Sequence, residues 1–234
     1  MLKKILPLAL ALSVSSFAIA DEADVRKGME ARLGTKVESV TKAGFLGLYE
    51  VYADGNIFYT DDKVTAIMVG AQLIDAKSMK NVTEERMRKL TAIKFNELPL
   101  DRAIKQVRGD GKRVLATFED PNCGYCKRLA RDLQKLENIT IYTFLLPILS
   151  EDSVKKSKQI WCSADRAKAW NDWMIDGKTP SGREDCDTAA ITRNQEFGRK
   201  LNITGTPTMF FGNGERVPGA MPLPRIEQKL AEIR

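Results

Sequence analysis

RVLATFEDPNCGYCKRLARDLQKL, residues 113–136, is the stretch that decides the fold. Arg113 to Phe118 is a β-strand candidate, an apolar run rich in branched and aromatic side chains. The loop Glu119-Asp120-Pro121-Asn122 breaks it with turn-forming residues. From Lys127 to Leu136 the pattern is helical, with Leu129, Leu133 and Leu136 along one side. Cys123-Gly124-Tyr125-Cys126 therefore sits where a strand ends and a helix begins. The unpaired N–H groups and the dipole of a helix N-terminus favour a negative thiolate on the first cysteine. A thiolate is the species that attacks disulfide sulfur. With two residues between them, the second thiol reaches back one turn and displaces whatever is joined to the first. The spacing supports a reversible dithiol/disulfide couple, with Cys123 as nucleophile and Cys126 as the buried resolving thiol.

The 234 residues contain no histidine. That excludes Ser-His-Asp and Cys-His nucleophile pairs, histidine-ligated zinc and a histidine general base. Two other readings of the CxxC stand beside redox chemistry. A purely structural disulfide closes so short a loop that it restrains the unfolded chain little. Zinc lacks a second CxxC or any histidine to complete its ligand set. Redox chemistry is the favoured reading. The other two cysteines, Cys162 and Cys186, lie among Asp165, Asp172, Asp176 and Asp185. Those carboxylates disfavour a reactive thiolate. A bond between the pair would contribute about 3 kcal/mol through loop entropy, so a structural disulfide is preferred over a regulatory switch.

Working outward, Ile139 to Leu146 is an apolar strand and Ser150 to about Leu201 is mostly helical. Thr208 to Phe211, a Gly212-Asn213-Gly214 turn and Arg216-Val217 form a hairpin, and Pro224 to Ile233 a terminal helix. Strand, helix, strand, helical block, hairpin, helix is an α/β order whose antiparallel part comes late. Upstream, Val25, Met29 and Leu33 recur at helical spacing, Gly34 can cap the end, and a linker follows to about residue 42. Leu48 to Tyr52, an Asp54-Gly55 turn and Ile57 to Thr60 read as a small antiparallel meander, with Val64 to Leu73 after it. A unit of that size is marginal alone, and open strand edges invite pairing with a second copy. Residues 83–98 read as a charged helix, N-capped by Thr83 and closed by Pro99, whose thin apolar stripe of Met87, Leu90 and Ile93 suits a connector.

The first twenty residues, MLKKILPLALALSVSSFAIA, have a short basic start, an apolar stretch and an Ala18-Ile19-Ala20 ending. They read as a secretory signal peptide cleaved after Ala20. Losing Lys3 and Lys4 with it lowers the formal charge from +6 to +4. The clusters Arg86, Arg88, Lys89 and Lys155, Lys156, Lys158 have no aromatic interleaving. Solvated helix faces explain them better than nucleic-acid binding. An even cysteine count in an exported chain favours disulfides, and nothing in the pattern calls for a cofactor or metal.

CGYC after Phe118-Glu119-Asp120, Ile160-Trp161-Cys162, Thr204-Gly205-Thr206-Pro207-Thr208, Val217-Pro218-Gly219 and the turn Tyr59-Thr60-Asp61-Asp62 together resemble the DsbC/DsbG family of periplasmic thiol:disulfide interchange proteins. The resemblance implies a mixed α+β and α/β chain. Residues 21–82 would be a small β-rich, cystatin-like dimerisation domain, residues 83–99 a linker helix, and residues 100–234 a thioredoxin-like catalytic domain with a helical insertion. It implies a cis peptide at Thr206-Pro207 beside the CGYC pair, with substrate adding as a short strand against Thr206, Pro207, Gly124 and Tyr125. It further implies a homodimer in the periplasm of a Gram-negative bacterium. That homodimer would reshuffle wrong disulfides in misfolded exported proteins, be kept reduced by a DsbD-type membrane reductant, and act as a chaperone besides. A DsbG-like reductase that protects single cysteines, usually with Pro where Gly124 stands, and a non-enzymatic holdase are the alternatives. Many thioredoxin-like proteins carry a buried acid six residues before the first cysteine. Here that residue is Thr117, and Glu119, Asp120 or water could move the proton instead.

Overall fold

The apolar stripe of Val25, Met29 and Leu33 needs a partner, and it finds one in a four-stranded sheet. The computed structural model describes residues 22–233, so the signal-peptide expectation and its cleavage site lie outside the described residues. The chain divides into two compact units, one ending at Ala71 and the other beginning at Gln72.

In the first unit, α1 (Glu22–Leu33) lays Val25 and Met29 onto strands β1 (Val37–Lys42), β2 (Tyr49–Ala53), β3 (Asn56–Thr60) and β4 (Ile67–Val69). The strands are antiparallel neighbours in chain order. Val37, Val40, Tyr49, Val51, Ala53 and Val64 complete the core. Asp54 and Gly55 take φ of 48° and 74°, the left-handed pair that a two-residue hairpin turn requires. Residues 37–42 are thus a strand where the sequence suggested a linker. Only three residues of the run from Val64 to Leu73 pair as β4, which forms one edge of the sheet.

In the second unit, α2 (Val82–Leu90) is shorter than the helix expected over 83–98, and its N-cap is Asn81, whose side chain accepts from Glu84 N. Thr83 is buried in the first turn, and its hydroxyl instead accepts from Leu73 N at 2.8 Å. Thr91 N and the Thr91 hydroxyl both donate to Met87 O and close the last turn, and the helix does not continue because Ile93 N donates to Gly214 O in the late hairpin. A mixed five-stranded sheet follows, in the order β5 (Ile104–Arg108), β7 (Ile139–Leu145), β6 (Arg113–Glu119), β8 (Thr208–Phe211), β9 (Arg216–Pro218). β6 and β7 are parallel and the other pairings antiparallel.

The central strand β6 is covered on both sides. Leu115 packs with Leu129, Leu133 and Leu136, and with Ile226 and Leu230 of the terminal helix α7 (Leu223–Glu232). Ala116 and Phe118 point the other way, among Phe144, Leu146, Ile203 and Phe210. The Phe118 and Phe144 rings stack with centroids 4.6 Å apart, and Phe210 meets Phe118 edge-on. Burying each such ring contributes about 2–3 kcal/mol, so this strand is the rigid base of what sits at its end. The helical block between β7 and β8 is α4 (Glu151–Trp161), α5 (Arg166–Met174) and α6 (Ala189–Lys200). Ile160, Trp161, Trp170, Met174 and Ile191 from these helices pack into one cluster with both CxxC cysteines.

Candidate functional site

Helix α3 (Gly124–Leu133) begins at the carboxyl end of β6, and Cys123 is its N-cap. The turn before it is held by Asp120, which is fully buried. One carboxylate oxygen accepts from Asn122 N and the Ser153 hydroxyl, each at 2.8 Å; the other accepts from Ile148 N at 2.8 Å and Leu149 N at 3.0 Å. Trp173 adds a second brace: its indole N–H donates to Pro121 O at 2.6 Å, while the Lys127 and Lys156 ammonium groups lie 3.7 and 4.8 Å from its ring centroid. Burial, followed by the charges of Lys156 and Arg131, pulls the Lys127 ammonium below its ordinary range.

Within that frame the two cysteines are free thiols in different surroundings. Cys123 keeps 6% of its surface exposed, and its sulfur accepts from Cys126 N at 3.3 Å, one of the helix N-terminal donors left without a helical partner. Its thiol also donates to Thr206 O at 3.3 Å. Cys126 is fully buried. Burial, then the charge of Glu119 and the contacts with Cys123, drive its thiol far above the ordinary range; a backbone hydrogen bond at Asp120 works the other way.

The Thr206-Pro207 peptide is cis, and Pro207 O accepts from Gly219 N at 2.8 Å. The Thr206 hydroxyl is buried without a hydrogen-bond partner. Gly124 and Tyr125 open α3 in front of the sulfur. A Cβ added at Gly124 would meet open space, and Tyr125 is 61% exposed with the Arg128 guanidinium 5.2 Å from its ring centroid. Cys162 and Cys186 are joined in a disulfide at the C-terminal end of α4. The structure thus brings Cys123, Cys126, Gly124, Tyr125, Thr206 and Pro207 together and keeps the second cysteine pair covalently closed.

The sequence left the choice among Glu119, Asp120 and water open. Asp120 is occupied by four hydrogen bonds. Glu119 is equally buried, but its Oε2 has no partner. Burial raises the Glu119 carboxyl from 4.5 to about 7, offset only in part by a hydrogen bond with the Thr117 hydroxyl. Ile148 and Leu149, both exposed, form an apolar margin beside the thiol loop that the sequence reading did not single out.

Residues 100–234 match the family model of a thioredoxin-like domain, and residues 16–84 that of the disulfide bond isomerase protein N-terminal domain. A probable thiol:disulfide interchange protein DsbC of Bordetella parapertussis is 51% identical over 197 residues, covering 84% of this chain and 69% of its own. The thiol:disulfide interchange protein DsbC of Escherichia coli is 28% identical over 237 residues, 99% of this chain and 97% of that one. A crystal structure of a disulfide interchange protein from Neisseria gonorrhoeae superposes with a TM-score of 0.55 at 42% identity, over 58% of this chain and 97% of that one.

Proposed function

This chain belongs to the DsbC family of thiol:disulfide interchange proteins, and from that premise we propose that it is a periplasmic protein disulfide isomerase working through Cys123 and Cys126. One observation carries the reading: a free dithiol at a helix N-terminus, its outer sulfur held between Cys126 N and Thr206 O at 3.3 Å each. The Cys123 thiolate attacks one sulfur of a wrong disulfide, forming a mixed disulfide and freeing a substrate thiolate. That thiolate attacks elsewhere until a native bond forms and expels Cys123. When the substrate stalls, Cys126 attacks Cys123 and releases it reduced, leaving the enzyme oxidised. An inner-membrane reductant of the DsbD type would then restore the dithiol.

The unpartnered Thr206 hydroxyl and its neighbouring backbone suit an extended substrate segment adding beside Pro207, with Gly124 leaving room for it and Tyr125 flanking it. Cys162–Cys186 acts as a structural staple. The exposed edge strand β4 favours a homodimer through the N-terminal unit. Exposed Tyr125, Ile148 and Leu149 give an apolar surface beside the thiol and favour chaperone activity as a second role. The test is reactivation of a scrambled protein with several disulfides by wild type and by Cys123→Ala. Loss of rate with aggregation suppression intact is the expected result; equal rates overturn the enzymatic reading.

A further inference from the structure

We propose that the cations flanking the dithiol helix select substrate disulfides set in acidic polypeptide segments; the inference rests on the dithiol reading above. Five basic side chains stand on the two helices that frame the thiol loop: Lys127, Arg128 and Arg131 on α3, and Lys155 and Lys156 on α4. Lys127 follows Cys126 directly in the chain. Arg131, four residues on, shares its side of α3.

These cations are anchored to the loop that carries Cys123. Trp173, whose indole donates to Pro121 O at 2.6 Å, holds the Lys127 and Lys156 ammonium groups 3.7 and 4.8 Å from its ring centroid. The electron-rich ring thus keeps two like charges beside a turn that ends two residues before Cys123. Lys156 has only 13% of its side chain exposed and pairs with Asp152, which also accepts from the Asn122 amide at 2.8 Å. On the neighbouring flank of α3 the Arg128 guanidinium lies 5.2 Å from the ring centroid of exposed Tyr125. The dithiol is therefore bordered by positive charge on two sides.

The acids nearby do not cancel that charge. Five cations stand against Glu151 and Asp152 in the first turn of α4, and Asp132 of α3 is paired with Lys135 at 2.9 Å. Among the described residues, Lys127, Arg128 and Arg131 form no ion pair with a carboxylate. Lys156 and Arg131 crowd the Lys127 ammonium, and an incoming anion relieves that repulsion. Because these groups border a sulfur that exchanges with polypeptide disulfides, the anion they fit is an Asp or Glu carboxylate near a substrate cysteine.

The selection acts on encounter and adds no step to the exchange. An acidic segment is steered to the rim and held while its sulfur meets the Cys123 thiolate, and a basic segment is repelled. Such attraction reaches about 10 Å at 0.1 M salt and about 3 Å at 1 M, so the preference is strongest at low ionic strength.

Two peptides test this, identical except that Asp or Lys flanks a single cysteine joined through sulfur to pyridine-2-thiol. The Cys123 thiolate attacks the peptide sulfur, the peptide–pyridine S–S bond breaks, and the pyridine thiolate takes a proton from solvent to become an absorbing thione. Each rate is divided by that peptide's rate with 2-mercaptoethanol, which removes its intrinsic reactivity. Wild type is expected to favour the Asp peptide about tenfold at low ionic strength, the ratio falling towards unity at about 1 M salt. Lys127→Gln/Arg131→Gln is expected to reduce the low-salt ratio at least about threefold, and a general change in the thiol cancels from a ratio. A wild-type ratio that salt leaves unchanged overturns the proposal, as does a ratio unchanged in the double variant. Release by wild type no faster than by Cys123→Ala with either peptide overturns the dithiol reading instead.

Discussion

Glu119 and Asp120 are consecutive and equally shut off from water, at 1% and 0% exposure, yet they do opposite things. Asp120 leaves no oxygen idle: it ties its own loop to the amides of Ile148 and Leu149 and to the Ser153 hydroxyl. Glu119 has an oxygen with no partner at all. Adjacent residues on a strand end point to opposite faces, so one carboxylate meets the N–H-rich turn after β7 and the start of α4, and the other meets the side chains of α3 and α5.

Asp120 is therefore a structural acid. Asp120→Ala strands two amides, the Asn122 N–H and a buried hydroxyl, at a cost of about 3 kcal/mol or more. Urea unfolding at neutral pH measures it. A loss below about 1 kcal/mol would mean that water replaces the carboxylate at no great cost.

Glu119 makes stability pH-dependent in a defined direction. Its carboxyl is raised in the fold from 4.5 to about 7, so the folded state holds the proton where the unfolded chain has lost it. Folding is unpenalised below about pH 4.5, loses stability as pH rises through that window, and carries the full cost of about 3 kcal/mol above pH 7. Glu119→Gln should flatten this part of the profile, so wild type and variant converge at acid pH and diverge at alkaline pH. Parallel profiles in urea unfolding of the two reduced proteins contradict the assignment.

The two thiols should differ in access as well as in role. Cys123 is at the surface end of α3 and Cys126 is sealed behind it. Alkylation of the reduced native protein, followed by peptide mapping, is expected to label Cys123 at least about tenfold faster than Cys126, which reacts only on unfolding. Comparable rates would remove the distinction between nucleophile and resolving thiol.

What the sequence disclosed followed from locality. β6, its loop and α3 were legible because an apolar run, a turn and an amphipathic stripe each declare themselves within a few residues. β1 was read as linker because only Val37 and Val40 are apolar in it and a register shift between Val37 and Ser39 breaks the alternation. β5 was not read at all: only Ile104 is buried in it and Val107 faces solvent, so its strand character comes from pairing with β7. Residues 91–98 continue a helix-like composition, but Gly214, more than a hundred residues away, takes the amide of Ile93. The difference between Glu119 and Asp120 is tertiary too, since it depends on which helices arrive at each face.

Cys162–Cys186 closes a separation of 24 residues. Replacing both cysteines by Ala should cost about 3 kcal/mol of stability through the released loop entropy. It should leave intact the two successive releases of coloured thiolate from an aromatic disulfide, the first by Cys123 attack and the second by Cys126, because neither Cys162 nor Cys186 belongs to the Cys123 cluster. Loss of the second release without loss of stability would instead make the pair a redox partner of Cys126.

The edge of the N-terminal sheet gives the last test. β4 pairs with β3 on one side alone, and its Met68 and Val69 side chains are 40% and 74% exposed. A short apolar edge without a charge of its own is a template for a second strand, and natural edges block such pairing with lysine. In Met68→Lys/Val69→Lys, two like charges would face their copies across a paired edge, while the core of Val25, Met29 and Val51 is untouched. Sedimentation is expected to show a dimer for wild type and a monomer for the variant, with release of coloured thiolate from an aromatic disulfide unchanged because the thiols lie in the other unit. A variant that stays dimeric would move the interface away from β4.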